Sequence, residues 1–351
     1  MEKQNTYIGY IGTYTKGESK GIYQFALDTV NETISTPELA AELTDPTYLA
    51  ISGDQKHLYS VLKDSGKGGV ASFLIEEKSG ELKLMNKQLT ENGSSCHISV
   101  DENKQWIVTA NYGDGIVESY SVNKDGSVGN VISAIQHEGA GPYLERQERA
   151  HAHFAGYTPA GSLIATVDLG TDEIITYKIE EGKLTEASRL HVTPGSGPRH
   201  LVFHPNGKYA YVKNEISPEV IVLEFNAEKG SFREIQTVFS IPSNYSRNNQ
   251  GSAIHISSDG NFVYAADRGH DSISVFKTNP ENGTLELVET VSTAGHWPRD
   301  FSLDPTEKFL IASNEESGNL SLFRRDVKTG KLTLLQSDVK VPYPVCVKFL
   351  K

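Results

Sequence analysis

The sequence predicts an all-β fold, a seven-bladed β-propeller, and three observations carry that expectation: a unit repeated seven times, strand and turn chemistry throughout, and complementary chain ends. The repeat is marked by the aromatic of a third strand, at Phe25, Phe73, Tyr120, Tyr177, Phe225, Phe276 and Phe323, with successive spacings of 48, 47, 57, 48, 51 and 47 residues. The clearest copy starts at Pro198-Arg199-His200, turns at Pro205-Asn206-Gly207, continues through strands at 209–215 and 220–225, and turns again at Gly230-Ser231-Phe232. Gly-x-Leu-like turns at Gly80, Gly126, Gly182, Gly283 and Gly330 keep step with the aromatics. Four short strands at such a period make a small sheet that cannot bury both faces alone and must stack on its neighbours.

No stretch carries helical periodicity, and the 31 glycines with abundant Val, Ile, Thr and Tyr suit strands and tight turns. The chain opens on a second strand, residues 6–13, and closes on Tyr343-Pro344-Val345-Cys346-Val347-Lys348-Phe349-Leu350, which reads as a first strand like Pro298-Arg299-Asp300-Phe301-Ser302-Leu303. One four-stranded antiparallel blade is therefore expected from both ends, which removes the edges an open array would expose. Residues 1–351 then form a single propeller domain.

Composition narrows the function classes. Hydrophobic residues at 37% supply a core, and charged residues at 22% are too few for a disordered chain. The segment Met1–Thr6 is polar and no apolar run is long enough to span a bilayer, so a cytoplasmic protein with no membrane partner is expected. Asp plus Glu exceed Lys plus Arg by 45 to 33, a net charge of −12 that argues against nucleic acid and requires a local basic pocket for any anionic small molecule. Cys96 and Cys346 lie in non-neighbouring repeats without zinc spacing, and both are expected to be reduced structural thiols. Oligomeric state is expected to be monomer or weak homodimer, since a closed propeller has no obligatory sticky edge.

Comparison between blades locates the chemistry. Arg199 aligns with Arg299 and His153, at a place that holds Thr47 or Ser252 elsewhere. Glu215 aligns with Arg268, Glu315 and Leu169 at the ends of second strands. A residue needed for blade geometry recurs in most blades, whereas one serving a ligand on the axis appears only where the ligand is. His153, Arg199, Glu215, Arg268 and Arg299 behave in the second way. Arginine forks suit carboxylate or phosphate, and a histidine beside a glutamate exchanges protons near neutral pH. His200, next to Arg199, is a candidate substrate contact, with hydrogen bonding between blades as its alternative. His151-Ala152-His153 places two imidazoles on one strand face, but no third ligand accompanies them, so neither a metal nor a cofactor is expected. No Gly-x-Ser-x-Gly elbow supports a serine hydrolase. The segments 137–150 and 239–250 are long polar connections of the kind that border binding sites, and Arg146 and Arg149 read as solvated loop charges, with a ligand contact by either as the alternative.

The segments Ile11-Gly12-Thr13-Tyr14, His151-Ala152-His153, Asp168-Leu169-Gly170, Gly197-Pro198-Arg199-His200, Asn214-Glu215, Asp267-Arg268-Gly269-His270 and Trp297-Pro298-Arg299 together resemble the seven-bladed propeller lactonase family over the whole chain. The resemblance implies ring opening of a sugar lactone, foremost 6-phosphogluconolactone in the pentose phosphate pathway. It also implies a catalytic histidine, two arginines and a glutamate, carried over to the His151/His153 pair, Arg199, Arg268 and Glu215. Turn register favours His153, while His151 lies 48 residues before Arg199, close to the blade period. The histidine would activate water, Arg199 and Arg268 would stabilise the oxyanion or anchor a phosphate, and Arg299 would assist. Two alternatives stay open: a non-catalytic binding or scaffold module, and a cycloisomerase or lactonase for another carboxylated or unphosphorylated lactone.

Overall fold

The strands Pro344–Phe349 and Thr6–Thr13, from opposite ends of the sequence, pair antiparallel through Gly12 with Cys346 and Gly9 with Phe349. This joint closes a ring of seven antiparallel sheets in a computed structural model that describes residues 5–103 and 105–351. The polar opening Met1–Gln4 lies outside the described residues. Six blades are simple four-stranded meanders. The closing blade differs only at its outer edge, where two short strands, Thr33–Ile34 and Glu38–Glu42, both pair with Gly21–Asp28. Among the described residues there is no helix, and so none long and apolar enough to cross a membrane.

Burial follows each strand's position in its blade. The second strands Leu163–Asp168, Tyr209–Asn214 and Phe309–Asn314 are buried at every residue, because sheets cover both of their faces. The outer strand Ser231–Phe239 shows the mixed burial of an edge with one wet face. All seven third-strand aromatics are buried. The core lies between sheets: Leu163, Ala165 and Val167 of the fourth blade pack with Leu201, Ala210, Val212 and Ile221 of the fifth. At about 1.5–3 kcal/mol for each large side chain buried, such layers stabilise a blade only when its neighbour is present. Hydroxyls rivet successive blades: Tyr10 donates to the Gly80 carbonyl at 2.6 Å, Tyr211 to Gly283 at 3.1 Å and Tyr264 to Gly330 at 3.0 Å. Gly283 has φ 74°, and a Cβ there would stand 2.5 Å from the Tyr209 ring, so this outer turn requires glycine.

The first strands pack against one another in ring order around the axis. At the same point in several blades the pairing of first and second strands slips: between Ala152 and Phe154, between Pro198 and His200, and between Pro298 and Asp300. The unpaired residues at these bulges are His153, Arg199 and Arg299. A bulge turns a side chain out of the normal alternation. That is how three chemically active residues come to the axis from equivalent places.

Candidate active site

At one end of the axis a cleft of about 440 Å³ is lined by the starts of first strands, including Thr47, Cys96, His153 and Arg299, and the ends of second strands, including Tyr14, Lys63, Tyr112, Glu215 and Arg268. Glu215 is its organising centre. Its Oε2 accepts from Arg199 Nε at 2.9 Å and lies 2.7 Å from Arg268 Nη2, while Oε1 is paired with Arg146. Burial alone would raise the Glu215 carboxyl, but the guanidiniums of Arg268, Arg199 and Arg146 outweigh it and hold it well below the usual carboxylate range. Glu215 is thus a permanent anion rather than a proton carrier.

His153 is buried, and its Nδ1 has no hydrogen-bond partner among the described residues. Burial first, and the charge of Arg199 next, hold its imidazole well below the ordinary histidine value, so it is neutral at neutral pH. A neutral imidazole beside guanidiniums is chemically a base that stays free to accept a proton. Arg299 donates to Glu315 at 3.2 Å and to the Tyr14 hydroxyl at 2.9 Å. Four guanidiniums and the Lys63 ammonium therefore meet three carboxylates, Glu215, Glu315 and Asp45, around this mouth, an excess of positive charge in a chain of net charge −12. The Cys96 thiol, pushed up to about 11 by burial, lies 3.5 Å from the His153 carbonyl and is protonated at neutral pH.

The structure brings His153, Glu215, Arg268 and Arg299 to the cleft, while Arg199, as buried as Arg268, is outside the lining and is joined to it through Glu215. Two expected site residues lie elsewhere. His151 stacks on Tyr112 at 4.3 Å, its Nδ1 is 2.8 Å from the Tyr112 carbonyl, and its Nε2 is 3.2 Å from Glu148. Both ring nitrogens are thereby committed and His151 itself is not in the cleft lining, because the bulge at His153 breaks the alternation that would have paired the two histidines. His200 is outside the cleft lining as well: its Nε2 is 3.2 Å from Arg199 Nη1, and it packs against His97 and His153. Among the described residues no three His, Cys, Asp or Glu side chains gather as metal ligands.

Arg146 corrects the expectation of a solvated loop charge. It reaches from the 137–150 connection onto Glu215, whereas Arg149 stays exposed. The turn that presents it is pinned by buried Gln147, whose Nε2 donates to the Leu169 carbonyl at 2.8 Å. Tyr14, Lys63, Tyr112 and Cys96 also line the mouth unanticipated, although the blade register that singled out Glu215 and Arg199 applies to them equally. A larger groove of about 820 Å³ opens between the first and last blades, but its arginines are already engaged, Arg324 by Glu32 and Arg325 by Tyr264 and the Glu307 carbonyl.

Fold and cleft define a closed propeller with a base, an anion and a ring of guanidiniums at one axial mouth. The chain belongs to the lactonase family: the model described as "Lactonase, 7-bladed beta-propeller" matches residues 8–349. It is 56% identical over 344 residues to a 6-phosphogluconolactonase of Bacillus subtilis (strain 168), with 98% of each chain covered. Among solved structures it is similar to a protein from Lactobacillus plantarum, with TM-score 0.94 and 39% identity over 99% of this chain and 100% of the other. It is also similar to a periplasmic gluconolactonase of Pseudomonas aeruginosa, with TM-score 0.93 and 30% identity over 99% of each chain.

Proposed function

We propose that this protein hydrolyses a phosphorylated sugar lactone, 6-phosphogluconolactone, to the open hydroxy acid. The observation that carries the reading is neutral His153 set among Arg199, Arg268 and Arg299, with Glu215 holding two of the three guanidiniums in place. In the first step His153 takes a proton from water as the water oxygen attacks the lactone carbonyl carbon. Arg268, backed by Arg199, stabilises the oxyanion that forms. Collapse of the tetrahedral intermediate breaks the bond to the ring oxygen, which recovers the proton from the imidazolium of His153. The new carboxyl group then ionises, and its proton passes to solvent. No cofactor enters these steps.

The excess positive charge at the mouth supports an anionic substrate, which it draws toward an otherwise acidic surface. The likeness to the Bacillus 6-phosphogluconolactonase supports the phosphate at one end of that substrate. On this reading the protein works in the cytoplasm, at the lactone step of the pentose phosphate pathway. The test is the rate of acid release from fresh 6-phosphogluconolactone and from gluconolactone, with spontaneous hydrolysis subtracted. Acceleration of the phosphorylated lactone, and little of the other, is expected. Acceleration of neither would end the lactonase reading, and preference for gluconolactone would move it to unphosphorylated substrates.

A further inference from the structure

Lys213 breaks the repeat. At the same pairing position opposite the third strand, other blades hold Val61, Ala110, Val167, Ala266 and Ser313, and the closing blade holds Gly12, all small or uncharged. Here a lysine is fully buried, and its ammonium leaves the fifth blade for the sixth. It lies 3.0 Å from Asp267 Oδ1 and donates to Ser240 Oγ at 2.8 Å. Asn249 Nδ2 donates to the same carboxylate oxygen at 2.8 Å.

A second exception makes room for the first. The place that Ala152, Pro198, Pro298 and Pro344 fill in other blades is taken by Gly251. A Cβ on Gly251 would stand 1.9 Å from the Asn214 carbonyl oxygen and 2.6 Å from Lys213 Cε. The two departures from the repeat are complementary and meet in one contact between two blades.

That contact adjoins the reactive groups. Asp267 precedes Arg268, and Lys213 lies two residues before Glu215. Arg268 Nη2 donates to the Gly251 carbonyl at 2.8 Å and meets Glu215 Oε2 at 2.7 Å. The Gly251 N–H in turn donates to the Glu215 carbonyl at 3.0 Å. A buried ion pair adds little net stability, because desolvating both charges offsets their attraction; its best-attested use is to select one geometry.

We propose that Lys213 and Asp267 are positioning residues, an inter-blade clamp that sets the height and orientation of Arg268 over Glu215 for attack at the lactone carbonyl. Neither touches substrate, and the role rests on the lactonase reading above. The clamp acts through Arg268, so its removal matters only while Arg268 is present.

The test combines Lys213→Met with Asp267→Asn, so that no charge is stranded, in the wild-type and Arg268→Ala backgrounds. Melting temperature, kcat and KM on 6-phosphogluconolactone are measured for each protein. In the wild-type background kcat is expected to fall on the order of tenfold, with KM changed less than about twofold and melting temperature nearly retained. In the Arg268→Ala background the same pair of substitutions is expected to cost less than about twofold, as coupled residues do in a double-mutant cycle. Wild-type kcat in the paired variant, or an equal loss in both backgrounds, overturns the clamp while leaving the lactonase reading intact. A wild-type protein without lactonase activity removes the reading and this role together. If the paired variant does not fold, Ser240→Ala, which removes a hydrogen bond that holds the ammonium and keeps the ion pair, provides the same comparison between backgrounds.

Discussion

His153 and Arg199 occupy one and the same register position in adjacent blades, each the unpaired residue of a bulge between first and second strands. The equivalence explains their chemistry. Both side chains are driven toward the axis by the same local backbone device, so that burial first and the Arg199 charge next keep the imidazole unprotonated.

The two histidines of the His-Ala-His segment should separate cleanly on substitution. His153→Gln is expected to lower kcat by on the order of 10²- to 10⁴-fold with a retained melting temperature, the range for loss of a general base. His151→Ala is expected to lower the melting temperature, because it removes the contacts to Tyr112 and Glu148, with a smaller effect on kcat. Comparing both variants by calorimetry and steady-state kinetics checks the assignment, and the reverse pattern would move the base to His151.

Arg146 enters the site from outside the repeat and its side chain is 27% exposed. Arg146→Met should therefore cost little stability, under about 1 kcal/mol for a partly solvated pair. KM for the phosphorylated lactone should rise by roughly tenfold, equivalent to one charge-assisted contact. KM against each lactone, read beside the melting temperature, distinguishes this from a purely structural loop contact.

The pH profile follows from the direction of two shifts. A base works unprotonated, and His153 is held below its ordinary value of 6.5, so kcat/KM should stay level as pH falls through 6.5 and decline only at lower pH. Glu215, an anion throughout this range, adds no limb of its own. A limb centred at or above 6.5 in a rate profile corrected for spontaneous hydrolysis would contradict a buried imidazole as the base.

Stability should respond to acid in the same region for a different reason. Burial holds His97, His153 and His200 well below 6.5, so between that value and their folded-state values the unfolded chain binds protons that the folded chain does not. Stability therefore rises with pH up to about 6.5 and is lost progressively below it. Glu215 and Asp300, both lowered, add a second loss as pH falls below the ordinary carboxylate range. Melting temperatures from pH 8 to about pH 2 test both parts, and His97→Phe should flatten the first.

The blades were legible because their signals are local and repeated. Six of the seven aromatics mark one buried position opposite the second strand, Leu223 holds that position in the fifth blade with Phe225 two residues further on, and the strand at Pro344–Phe349 shows its missing partners at the other end of the chain. Glu215, Arg268 and Arg299 were legible as exceptions to that repeat. What the register could not convey was depth and direction. It ranks Arg199 with Arg299, yet the first is buried against Glu215 outside the lining and the second lines the cleft. Simple alternation would put His151 and His153 on one face, and only the slip in pairing separates them. Arg146 left no trace in the pattern, because the connection that carries it belongs to no blade.

The joint between Thr6–Thr13 and Pro344–Phe349 also sets a timetable. During synthesis the opening strand emerges first and must wait, one edge uncovered, until the last segment leaves the ribosome. The axial mouth draws on every blade, so it can take its final shape only after the whole chain is free. A stop codon that deletes merely the terminal strand should abolish the activity as thoroughly as one placed at the middle of the gene, although every side chain of the proposed site would still have been made.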